Sequence, residues 1–85
     1  MKKIFQINDE FSSTDIFTGG TMFYKITSRT ENEIICTCVD HELDGVHTRQ
    51  ETFVVRKDDK GDEYIILWKY LDEEGIMYAE SEVIL

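Results

Sequence analysis

The chain has 85 residues, a net charge of −9, 41% hydrophobic residues and 12% aromatic residues. This length predicts a single domain spanning residues 1–85, and the apolar content argues against a disordered chain. The acidity argues against direct binding of nucleic acid through its phosphates, and no apolar run is long enough to cross a membrane as a helix.

Residues 1–20 have the least regular pattern. The stretch KIFQI predicts a short strand, and the serines, threonine and aspartate of SSTDIF predict a loop or a single helical turn. Gly19-Gly20 then predicts a turn into the next element. The start, MKKIFQINDE, lacks the apolar core of a signal peptide, so we expect a cytoplasmic location.

Residues 21–85 predict an antiparallel meander of five strands. Turn sequences separate the runs, namely TENE, LDGV, DDKGDE and DEEGI. Asp44-Gly45 favours a two-residue hairpin turn, while Gly61 and Gly75 fit bulged hairpin loops. The runs between these turns are rich in β-branched and aromatic residues, as strands require: TMFYKITSR, EIICTCVDH, VHTRQETFVVRK, EYIILWKYL and IMYAESEVI.

Strands of about ten residues in so short a chain must twist and bend, and closing the sheet on itself removes exposed edges. We therefore predict an all-β fold, a small SH3-like barrel with an irregular N-terminal segment. The alternative is a strongly bent antiparallel meander of five to six strands.

Both cysteines and both histidines lie within CTCVDHELDGVH, at Cys36, Cys38, His41 and His47. A zinc site draws ligands from a turn such as C-x2-C, whereas this spacing is C-x-C on a strand. A hairpin centred on residues 44–45 places residue 41 opposite 48 and residue 38 opposite 51, so the four side chains do not converge. We predict no metal site and no cofactor, with both cysteines as free thiols in the core.

The acidic loop DDKGDE does not match a calcium loop, which needs an oxygen ligand where Lys60 stands. The sequence also lacks the motifs of serine hydrolases, zinc proteases, P-loop proteins and dinucleotide-binding proteins. We therefore predict no catalytic residues and a protein that is not an enzyme.

The aromatic residues of EYIILWKYL alternate along a predicted strand, which places Tyr64, Trp68 and Tyr70 on one face. Exposed aromatic side chains of this kind anchor protein partners, although a chain this short also needs large residues in its core. Our first functional prediction is a non-catalytic protein-interaction module that uses this aromatic face to bind a protein partner, for which the acidity favours a basic surface. Self-association as a homodimer through the same face is an alternative.

Acidic residues recur at every second position in two segments, with Asp40, Glu42 and Asp44 in one and Glu80 and Glu82 in the other. On a strand this spacing sets carboxylates about 6.6 Å apart on one face, close to the spacing of phosphates along a nucleic acid. The alternative function is therefore an acidic inhibitor that mimics nucleic acid and blocks a nucleic-acid-binding protein or enzyme. The plainer interpretation is a solvated polar face of the sheet.

Overall fold

The computed structural model describes residues 2–14, 19–42 and 45–83, without the side chains of residues 41 and 42. This part of the chain contains strands and no helix, so no helix in it is able to span a membrane. The all-β prediction is confirmed. The strands are β1 (Glu10–Thr14), β2 (Thr21–Arg29), β3 (Glu33–Glu42), β4 (Gly45–Val54), β5 (Arg56–Lys57), β6 (Glu63–Tyr70) and β7 (Glu73–Tyr78).

The strands form two antiparallel sheets, one of order β1-β2-β3-β4 and one of order β5-β6-β7. Each sheet is a meander in which consecutive strands are neighbours, as the turn sequences predict. Over the described residues the sheets do not close into a barrel. The antiparallel meander is therefore present, but the described residues form seven strands in two sheets instead of the predicted single meander of five to six strands. The likeness to an SH3-like barrel stays a prediction.

The run VHTRQETFVVRK is divided between the two sheets at Val55. It forms β4 in the first sheet and the two-residue β5 in the second. The Val55 amide donates to the carbonyl oxygen of Asn32 at 2.8 Å, so it bonds a turn rather than a neighbouring strand. The chain bends here and crosses from one sheet to the other.

The N-terminal prediction needs correction at both of its parts. Ser12, Ser13 and Thr14 belong to β1, where they pair with Phe23, Met22 and Thr21, rather than to a loop or helical turn. The rest of SSTDIF, residues 15–17, lies outside the described residues. Pairing with β2 overrides the preference of these small polar residues for caps and turns. The predicted strand KIFQI is reduced to an isolated bridge between Lys3 and Glu82.

The N-terminal segment connects the two sheets by backbone hydrogen bonds. On one side the Ile4 amide donates to Ser81 at 2.9 Å, and the Glu63 amide donates to Lys3 at 2.9 Å. On the other side the Asn8 amide donates to Ile26 at 2.8 Å, next to a break in the register of β2 with β3. Residues 2–9 therefore connect the two sheets.

The β3–β4 hairpin has a register two residues away from the predicted one. Glu42 pairs with Gly45, so the connection comprises residues 43 and 44, which lie outside the described residues, rather than 44 and 45. Cys38 consequently pairs with Arg49, not with residue 51. Because the shift is an even number, each residue keeps the face that was predicted for it.

The apolar core contains residues of both sheets and of the N-terminal segment. Cys36 and Cys38 are completely buried in it as free thiols, as predicted. Phe11 stacks on Tyr24 with ring centroids 5.0 Å apart at the edge of this core. The buried apolar residues are Phe5, Tyr24, Ile26, Ile34, Cys36, Cys38, Phe53, Ile65 and Ala79.

One carboxylate, Glu63, is buried beside the core, with 3% of its surface exposed. Arg29 donates to both of its oxygens, at 2.7 Å and 2.9 Å, and the Phe5 amide donates to the same group at 2.9 Å. Arg29 also donates to the Phe5 carbonyl at 2.6 Å. The ion pair therefore joins β2, β6 and the N-terminal segment, with its polar atoms satisfied.

Candidate functional site

A bulge in β6 determines where the aromatic side chains point. The register runs from Ile66 opposite Ile76 directly to Trp68 opposite Gly75, so Leu67 is an extra residue. An extra residue reverses the alternation of faces beyond it. Trp68 and Tyr70 therefore lie on the same side of the sheet as the buried Ile65, instead of the side that simple alternation predicts.

The bulge separates the three residues of the predicted aromatic face. Tyr64 precedes the bulge and lies on the outer surface, where its ring is 5.3 Å from that of Tyr78. Trp68 and Tyr70 follow the bulge and face the first sheet, across a groove between the two sheets. The structure thus brings Trp68 and Tyr70 together and places Tyr64 apart from them.

The groove has a volume of about 270 Å³ and is formed by both sheets. Leu67, Trp68 and Tyr70 supply the wall from β6, and Met22 and Tyr24 supply apolar surface from β2. Arg49 and Glu51 of β4 add charged groups. The complete lining is Ser13, Thr14, Met22, Tyr24, Arg49, Glu51, Leu67, Trp68, Lys69 and Tyr70.

Gly75 leaves the space that the indole of Trp68 occupies. Gly75 was predicted to lie in a turn, but it is within β7, and the turn is at Leu71 and Asp72, with Leu71 at a φ of 54°. A Cβ atom on Gly75 would lie 2.2 Å from Nε1 of Trp68. Only a residue without a side chain allows the indole to lie this close to the neighbouring strand.

The charged groups of the groove are arranged around the aromatic wall. Arg49 donates to Glu51 through Nε and pairs with it through Nη2, both at 2.9 Å, and both side chains remain partly exposed. At the other end Tyr70 is 52% exposed and has Glu73 as its cross-strand neighbour. The groove therefore combines an exposed aromatic ring with the Arg49–Glu51 ion pair and with Lys69.

The phenol of Tyr24 and the thiols of Cys36 and Cys38, which lie on the core side of the first sheet, are held in their neutral forms. Burial raises the pKa of Tyr24 to about 12, and the negative charge of Glu51 adds to this rise. Burial likewise raises the pKa of the Cys36 thiol to about 12 and that of Cys38 to about 11. Thiols in this state are poor nucleophiles and poor metal ligands, since both roles require the thiolate.

The cysteines and histidines of CTCVDHELDGVH occupy separate positions in the hairpin. The register pairs Asp40 with His47 and His41 with Val46, so the two histidines have opposite parity, as the sequence predicts. Cys38 pairs with Arg49, nearer to the core. Within residues 2–14, 19–42 and 45–83 no group of three or more His, Cys, Asp or Glu side chains is placed to hold a metal ion.

The acidic rows of the alternative function lie in different elements. Asp40 is partly buried in β3, whereas Glu80 and Glu82 are exposed in the C-terminal segment that bonds to residues 2–4. The side chain of Glu42 and all of Asp44 lie outside what the structure describes. No continuous row of carboxylates is formed from the described members.

A larger and shallower concavity of about 540 Å³ lies on the first sheet. Its lining includes Phe23, which is 47% exposed, together with Lys25, Thr37 and Val39. It is formed by strands of one sheet, and its lining also includes Phe11, Tyr24 and Glu10. The groove between the sheets is the better candidate for a binding site, because it is more enclosed and both sheets contribute to its lining.

Sequence reasoning missed the part of the groove that comes from the first sheet. Met22, Arg49 and Glu51 lie far from Trp68 along the chain, and no short motif connects them. The sequence feature that could have indicated the irregular packing around Trp68 is Gly75. A glycine inside a strand indicates either a bulge or a close approach by another group.

Comparison with protein-family models, with curated proteins and with solved structures gives no match to this chain.

Proposed function

We propose that this protein is a non-catalytic interaction module that binds an extended segment of a basic protein partner in the groove between its two sheets. The observation that carries this proposal is the bulge at Leu67, which turns Trp68 and Tyr70 into the groove. Aromatic residues in a partly apolar cleft are the usual anchors of a protein interface.

The shape of the groove favours a polypeptide segment as its occupant. The groove lies between two sheets, with Trp68 and Met22 as apolar surface, and Tyr70 half exposed at one end. An apolar side chain of a partner would fill the space beside Trp68 and remove both surfaces from water. SH3 domains bind extended peptides in aromatic-lined grooves. Binding of an extended segment here would therefore agree with the SH3-like fold that the sequence predicts.

The electrostatics favour a basic segment. The chain has a net charge of −9, which attracts cationic partners over long distances. Glu73 is the cross-strand neighbour of Tyr70, and Glu51 lies at the opposite wall of the groove, where it pairs with Arg49. Lys69 is the second cation of the lining. A lysine or arginine of the partner would be attracted by the net charge of the chain, and Glu73 beside Tyr70 offers it a carboxylate at one end of the groove.

The test is a selection of displayed random peptides on the immobilised protein, followed by affinity measurements on the selected peptides. We expect sequences that combine an aromatic or large aliphatic residue with Lys or Arg. Trp68→Ala should weaken their binding about tenfold or more, as is typical of a buried aromatic anchor. Tyr64→Ala is the matched control, because Tyr64 lies outside the groove, and it should leave the affinity unchanged.

Two results would contradict the proposal. Equal loss of affinity in the Trp68→Ala and Tyr64→Ala variants would show that the groove is not the binding site. Selected peptides that are purely basic, bind Trp68→Ala as well as the original protein and dissociate in high salt would instead support the alternative of a nucleic-acid mimic.

A further inference from the structure

Strand β4 forms a long, regular edge of the first sheet. Among the described residues the only strand hydrogen-bonded to it is β3, and the two pair over ten consecutive positions without a bulge. The pairs of β2 with β3 and of β6 with β7 are each interrupted. Native proteins protect such edges with bulges, prolines or charges, and β4 contains neither a bulge nor a proline.

The residues whose backbone groups face this edge follow from the register. Glu42 pairs with Gly45 across a two-residue connection, and such a pair exchanges both of its backbone hydrogen bonds. Alternate residues of β4 from Gly45 onward therefore bond to β3. The intervening residues direct their amides and carbonyls outward, and they are Val46, Thr48, Gln50, Thr52 and Val54.

These outward residues are uncharged and are all exposed. Val46 and Val54 stand out, because they are 60% and 59% exposed although they are apolar. An uncharged edge with two exposed valines is suited to pairing with another strand.

The sequence of this edge is complementary to itself in the antiparallel direction. In VHTRQETFV, centred on Gln50, the two ends are Val46 and Val54. Thr48 and Thr52 are at equal distances from the centre. Arg49 and Glu51, which flank the centre, carry opposite charges.

We propose that two copies of this chain associate through their β4 edges, antiparallel and around a two-fold axis at Gln50, so that the two four-stranded sheets become one. In this register Val46 of each copy is opposite Val54 of the other. Arg49 of each copy is opposite Glu51 of the other, which forms two equivalent ion pairs. The outward residues meet one another at every position, so their backbone hydrogen bonds are completed.

The dimer also has a consequence for the groove. Arg49 and Glu51 line the groove of each copy, on the same face of β4. Their pairing across the axis brings the two grooves side by side on one face of the joined sheet. This inference does not depend on what the groove binds, and it goes beyond the proposed function.

The experiment measures molecular mass by sedimentation equilibrium over a range of protein concentrations, for the full chain and two charge variants. Arg49→Glu places Glu opposite Glu, and Glu51→Arg places Arg opposite Arg. We expect each variant alone to have its dimer dissociation constant raised about tenfold or more. An equimolar mixture of the two should form a heterodimer, because every cross-strand pair is again of opposite charge.

The result for the mixture distinguishes the proposed ion pairs between two chains from the ion pair within one chain. Arg49 and Glu51 also bond within β4, and both variants lose that bond. Mixing does not restore a bond within a chain, so recovery of the dimer shows pairing between chains in this register. Failure of the mixture to associate more strongly than either variant overturns the register.

A second variant tests the edge itself in case the charge variants fold poorly. Gln50→Pro removes an outward amide that the β3 ladder does not use, and Gln50→Ala keeps it. We expect Gln50→Pro to be a monomer with the circular dichroism of the original protein, and Gln50→Ala to remain a dimer. A monomeric original chain at all concentrations, or a dimer that survives Gln50→Pro, overturns the proposal.

Discussion

The indole of Trp68 in β6 lies directly against the backbone of Gly75 in β7. A Cβ atom at position 75 would be 2.2 Å from Trp68 Nε1 and 2.3 Å from Cε2, which is far inside van der Waals contact. These are atoms of a rigid ring that also lines the groove, so the clash cannot be relieved by moving the end of a flexible side chain. Gly75 therefore determines the position of the candidate binding residue.

Gly75→Ala is predicted to displace the indole of Trp68 from its position against β7. We expect a loss of about 1–3 kcal/mol in the free energy of unfolding, as for other overpacked sites. We also expect a change in the quenching of tryptophan fluorescence by acrylamide. Ile76→Ala, which truncates an exposed neighbour, is the control and should leave the quenching unchanged. Unchanged quenching in Gly75→Ala would contradict the described contact, because Trp68 is the only tryptophan.

The buried ion pair of Arg29 and Glu63 predicts a large loss of stability when its carboxylate is removed. Glu63→Gln leaves the Arg29 guanidinium without its charged partner and disturbs the hydrogen bond from Phe5. We expect a loss of about 3 kcal/mol, which is typical of breaking a buried pair from one side. The measurement is unfolding by urea. Glu51→Gln breaks the more exposed pair with Arg49 and should cost about 0–1 kcal/mol.

The same ion pair predicts a particular dependence of stability on pH. Burial raises the pKa of Glu63, but the hydrogen bonds from Arg29 and Phe5 and the charge of Arg29 outweigh it, so the pKa is lowered overall. A carboxyl whose pKa is lower in the folded state stabilises the protein above its unfolded pKa, about 4.3 for glutamate. That stabilisation is lost as the pH falls through the folded value.

The expected result is that the stability difference between the original protein and Glu63→Gln shrinks on acidification below about pH 4.3. Urea unfolding at a series of pH values measures it. A difference that stays constant into the acid range would mean that the charge of Glu63 is not what stabilises this contact.

Local pattern was sufficient to predict several elements. The run TMFYKITSR coincides with β2, because it alternates and has clear turn signals on both sides. The face formed by Ile34, Cys36 and Cys38 is the buried face of β3, since a period of two assigns faces without knowledge of the partner strand.

The candidate site depends on information that no single strand contains. The bulge at Leu67 reflects how β6 meets β7, and one extra residue is enough to move Trp68 and Tyr70 to the opposite face from Tyr64. The bend at Val55 depends similarly on the turn at Asn32, which is distant in sequence. Alternation within EYIILWKYL could not show either effect, so the predicted aromatic face combined residues from two surfaces.

The buried thiols lead to a last prediction, about chemical reactivity. Cys36 and Cys38 are fully buried, and burial raises their pKa values to about 12 and about 11. Because only the thiolate attacks a disulfide reagent, and neither sulfur is accessible, we expect the folded protein to react with Ellman's reagent only as fast as it opens. Both thiols should react at once in denaturant, which is the control for their reduced state. Rapid labelling of the folded protein at mildly alkaline pH would contradict the buried position of these thiols.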